Sequence, residues 1–69
     1  MSDAIINSAL EDALAHAATE IEREQILRAA LMVVTETMAR DYGRSVTRGA
    51  LQSMDTFVRD AKPSRPWRP

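Results

Sequence analysis

The sequence predicts an all-α protein with two to three amphipathic helices per chain, closed as a dimeric helical bundle. Three observations carry this. Apolar residues recur at spacings of three and four from Ile6 to Ala61, the period of a helix with one buried face. The residues that break helices, Gly43, Gly49, Pro63, Pro66 and Pro69, all lie beyond Tyr42. Apolar residues make up 45% of the chain and aromatics only 4%. The apolar set is therefore mostly Ala, Leu, Ile, Val and Met, residues that pack helices. Period-two alternation and Asn-Gly turns, the marks of strands, are absent.

The elements follow in order. A single helical domain is expected over residues 1–62, with helices about 3–18, 20–42 and 46–62. The first stripe runs Ile6, Leu10, Ala13, Leu14, Ala17, Ile21, and the second runs Ile26, Leu27, Ala30, Leu31, Val34, Met38. At helical pitch the two stripes are offset by roughly 100°. The charged run Glu22-Arg23-Glu24-Gln25 lies between them, and Thr19 with Glu22 fits a capping box. Either a tight turn sits near residues 18–24 or one helix presents two faces; the capping residues favour the turn. Gly43 suits the left-handed position just past a helix end, and Ser45 or Thr47 can cap the next helix. That helix has the cleanest stripe, Val46, Ala50, Leu51, Met54, Phe57, Val58, Ala61, and Pro63 stops it. Residues 63–69 form an extended Pro/Arg/Trp tail.

Sixty-nine residues bury little surface, so a chain this short needs disulfides, metal or oligomerisation. There is no cysteine and one histidine, His16. Oligomerisation is the remedy left, and homodimerisation is expected. No cofactor is expected. No apolar run approaches the roughly 18 residues of a membrane span, and no basic segment followed by an apolar block marks a secretory signal. A cytoplasmic location without membrane association is expected.

The charge is split by position. Residues 1–41 hold eight acids against three bases, a balance of −5; residues 42–69 hold six bases against two acids, a balance of +4. Opposed halves either attract one another, within or between chains, or the basic end meets an acidic partner.

Candidate sites are few. Asp12, His16 and Glu20 sit four apart and would line one helix face, offering a metal half-site or a solvated polar row. One histidine is a poor basis for a metal site. Ser8, Asp12 and His16 are the residue types of a hydrolase triad, but Asp12 stands where the histidine would have to bridge. No phosphate loop or dinucleotide fingerprint occurs, and an enzyme is not expected. Ala39, Gly43 and Ser45 resemble the centre of a helix-turn-helix, over about a quarter of the chain. That resemblance implies a recognition helix with Arg44, Thr47, Arg48 and Gln52 as phosphate or base contacts. The chain departs from the motif at Arg44, usually apolar, and at Gly49, where an aliphatic residue is usual. In the tail, Trp67 stands among Arg65, Arg68 and prolines. Trp and Arg dominate binding interfaces, and proline lowers the ordering cost of docking.

The expected function is that of a small non-enzymatic regulator acting by protein–protein interaction. It would dock on a partner such as a transcription factor through Arg59, Arg65, Trp67, Arg68, Met54 and Phe57. In size and helicity the chain is similar to small dimeric helical antiactivators, which bind and silence transcriptional activators. The alternative is a small helix-turn-helix-like DNA-binding regulator, against which stand the acidic N-terminal half and a pI near 5.7.

Overall fold

The computed structural model describes residues 3–64. They are all-helical, with no strand among the described residues. Helix α1 spans Asp3–Leu14 and helix α2 spans Glu20–Asp60. The chain divides into two compact units, Met1–Met32 and Val33–Pro69, so the boundary falls inside α2.

In the first unit, α1 ends four residues earlier than the stripe pattern implies. The Ala15 amide still donates to the Glu11 carbonyl, but the next two amides tighten to i−3 partners, His16 to Ala13 and Ala17 to Leu14. The His16 ring, through Nδ1, bonds the Asp12 carbonyl at 3.0 Å, covering one of the acceptors a helix end leaves open. Helix α2 then starts from Thr19. The Glu22 amide donates to Thr19 Oγ1 at 3.1 Å, and the Ala18 amide donates to Glu22 Oε2 at 2.6 Å. This is the capping pair expected from the sequence, with the glutamate reaching one residue further back than usual. The turn occupies residues 15–19. Leu10, Leu14, Ala17, Ile26 and Ala30 are half-buried, and no large apolar side chain in the unit is fully covered.

In the second unit, the expected pair of helices about 20–42 and 46–62 is one helix to Asp60, broken at a single residue. Gly43 has φ 88° and ψ 175°. This is not the left-handed helical cap anticipated at the position. It is the region at positive φ and extended ψ that essentially only glycine enters. A Cβ at Gly43 would meet nothing within 4 Å, so the glycine is required by backbone conformation and not by crowding. The break leaves a distal arm, residues 44–60.

Thr47 sits one turn beyond the break and is the one buried residue among those described, at 6% exposure. Its hydroxyl donates to the Gly43 carbonyl at 2.8 Å. Thr47 lies inside the helix that resumes after Gly43 and not at its start, so it does not act as the N-terminal cap. Thr37 and Ser53 make the same backward bond, to the Val33 and Gly49 carbonyls. Hydroxyls in mid-helix reach such carbonyls four residues back and tend to bend the helix.

Candidate functional site

The distal arm carries the most exposed apolar surface of the second unit. Past Ala50 every described residue to Ser64 is exposed. Leu51 is 45% exposed, Met54 51%, Phe57 71% and Val58 68%. At 3.6 residues per turn, Val46, Ala50, Leu51, Met54, Phe57 and Val58 fall within an arc of about 140°. Arg44, Arg48 and Arg59 line one edge of that arc, beside Leu51 and Val58. Ser45, Gly49, Ser53 and Thr56 occupy the far side. The arm is thus a helix with an apolar face, a basic edge and a polar back that ends in Asp60.

Asp55 is the one acid on the basic edge, and its Oδ2 accepts from Arg59 Nη2 at 3.5 Å. Both side chains are exposed, so this i,i+4 pair adds about 0.3–0.5 kcal/mol at most. Covering the exposed part of Leu51, Met54, Phe57 or Val58 is worth about 1 kcal/mol each. Per residue, covering the apolar face is worth more than the exposed ion pair.

Among the residues singled out from the sequence, Met54, Phe57 and Arg59 lie together on this arm. Leu51 and Val58 belong with them and had not been assigned a role. Their signal was already present, because they sit on the same stripe at the same spacing. Arg65, Trp67 and Arg68 lie outside the described residues. Arg44, Arg48 and Gln52 are exposed, but Thr47 is buried and its hydroxyl proton is committed to Gly43. A helix-turn-helix separates its helices by a turn of three to four residues; here a single residue is non-helical.

The polar row of Asp12, His16 and Glu20 is not on one helix face, since α1 ends at Leu14 and α2 begins at Glu20. The same early end removes His16 from the helix that carries Ser8 and Asp12. Among the described residues no group of three or more His, Asp or Glu side chains is placed to hold a metal ion. None of the described helices is long and apolar enough to cross a membrane. No protein-family model, curated protein or solved structure matches the chain.

Proposed function

We propose that this chain is a small non-enzymatic regulatory protein of the cytoplasm that acts by protein–protein interaction. It docks on a partner, such as a transcription factor, through the apolar face of the distal arm, and pairs with itself as a dimeric helical bundle. The exposed stripe Leu51, Met54, Phe57 and Val58 is the observation that supports this reading. Leu51, Met54, Phe57 and Val58 stay 45–71% exposed, and a second protein surface that covers them stabilises the arm.

The test uses the full chain and its Met54→Asp, Phe57→Asp double variant, each cross-linked in cells of its source and compared by mass spectrometry. Circular dichroism checks that the variant keeps its helices. The expected result is a specific protein joined to the full chain and lost with the variant. The reading is overturned if the variant keeps every partner. It is also overturned if duplex DNA binds at low salt and Arg44→Glu with Arg48→Glu abolishes that binding while the double variant does not.

A further inference from the structure

We propose that the distal arm of one copy lies on the acidic unit of a second copy, and that the second copy returns the same contact. Two identical arm-on-unit interfaces then close the dimer. This rests on the arm being a docking surface and names its occupant in the free protein, a second copy that another partner would have to displace.

Charge is the first support. The unit Met1–Met32 holds six acids and two bases, a balance of −4, whereas residues 44–64 hold four bases (Arg44, Arg48, Arg59, Lys62) and two acids, a balance of +2. Pairing like with like would set −4 against −4 and +2 against +2. Pairing arm with unit sets opposite signs together twice, and like charges brought together at an interface cost several kcal/mol in the wrong pairing. A two-fold axis makes the exchange reciprocal, since whatever residue i of one copy touches, its counterpart touches in return.

Exposed apolar surface is the second support: Leu51, Met54, Phe57 and Val58 are exposed on the arm. The receiving unit offers apolar surface as well as charge. Ile6, Ile21 and Met32 are exposed, and a shallow groove on α2 is lined by Glu24, Leu27, Arg28 and Leu31.

Two charge-reversed chains test the arrangement. One carries Arg44→Glu and Arg48→Glu on the arm; the other carries Glu11→Lys and Asp12→Lys near the end of α1, where a base suits the helix dipole. Each reversal moves the net charge of −1 by four, to −5 and +3. The readout is the dissociation constant from sedimentation equilibrium at low salt, with circular dichroism alongside. The arm-reversed chain alone self-associates about tenfold or more weakly than the unaltered chain, because both symmetric contacts now set −2 against −4; the second chain, whose unit goes from −4 to 0, loses the attraction in both contacts and also self-associates more weakly. An equimolar mixture forms a dimer tighter than either altered chain alone, because one of its two contacts again sets +2 against −4. A control with Arg40→Glu reaches −3, alters neither the arm nor the unit Met1–Met32, and stays as tightly dimeric as the unaltered chain.

Reversed chains that dimerise as well as the original indicate like-on-like pairing and overturn the proposal. A mixture that dimerises no more tightly than either altered chain alone overturns it too, in favour of attraction within each chain. An unaltered chain that stays monomeric also overturns it, while the docking reading stands or falls separately on the cross-linking of the Met54→Asp, Phe57→Asp variant.

Discussion

The helical chain is interrupted twice, and the two interruptions are built differently. Between α1 and α2 the break is made by side chains: His16 closes one end, and Thr19 with Glu22 opens the next. At Gly43 it is made by one backbone conformation, supported by the hydroxyl of Thr47. The first is a sum of several replaceable bonds, each worth about 1 kcal/mol. The second rests on a residue for which no other amino acid is a comfortable substitute. A chain can thus turn by accumulating weak local bonds or by one glycine, and the two respond differently to mutation.

The sharpest way to break this contrast is Gly43→Ala. The added methyl meets no atom within 4 Å, so a purely steric view predicts no effect. The backbone view predicts a loss of about 1–3 kcal/mol, because alanine must be held at a φ it disfavours. Urea unfolding followed by circular dichroism measures it. The protein concentration must be held fixed, since a chain that covers its apolar surface by association has concentration-dependent stability. An unchanged midpoint would mean that Gly43 does not hold this conformation in solution.

A smaller effect is expected from Thr19→Ala, about 1 kcal/mol, the usual value of an N-terminal cap. The same unfolding experiment checks it. Thr19→Ser should recover most of the loss, because the oxygen that accepts the Glu22 amide returns. No such rescue exists for Gly43→Ala, and that difference separates the two kinds of break.

The smallest effect belongs to Arg28→Ala. Arg28 bonds Glu24 Oε1 through Nε at 2.8 Å and through Nη2, within one helical turn. The guanidinium is largely exposed, so its removal is expected to cost about 0.3–0.5 kcal/mol and to shrink as salt is added. A loss above about 1 kcal/mol would show that this pair does more than decorate the helix surface.

The all-helical class was legible because three- and four-residue spacing and a lack of early breakers leave few alternatives. Thr19 and Glu22 were legible because a capping pair is local: both partners lie within one turn of the chain. The end of α1 was misplaced for the converse reason. Ala15, Ala17 and Ala18 are strong helix formers, and propensity alone carries the helix through them to residue 18. The bonds that stop it, from His16 back to Asp12 and from Ala18 forward to Glu22, outweigh that propensity and are invisible in a residue-by-residue tally. At Gly43 the position of the break could be read but not its form. Glycine announces that an unusual dihedral pair is allowed; it does not announce which pair, or that helix resumes at the next residue. On the distal arm the stripe was visible while its exposure was not. Spacing reports that Leu51, Met54, Phe57 and Val58 share a face, but only the fold shows that they stay 45–71% exposed.

The uncovered run from Leu51 to Ser64 also bears on how long a copy of this protein survives. Helical segments with little tertiary cover open readily, and opened exposed segments are where proteases cut. On the docking reading, a seated copy keeps this segment folded, while an unseated copy presents Arg59 and Lys62 to cleavage. Turnover then becomes a census. The number of lasting copies follows the number of seats available to them.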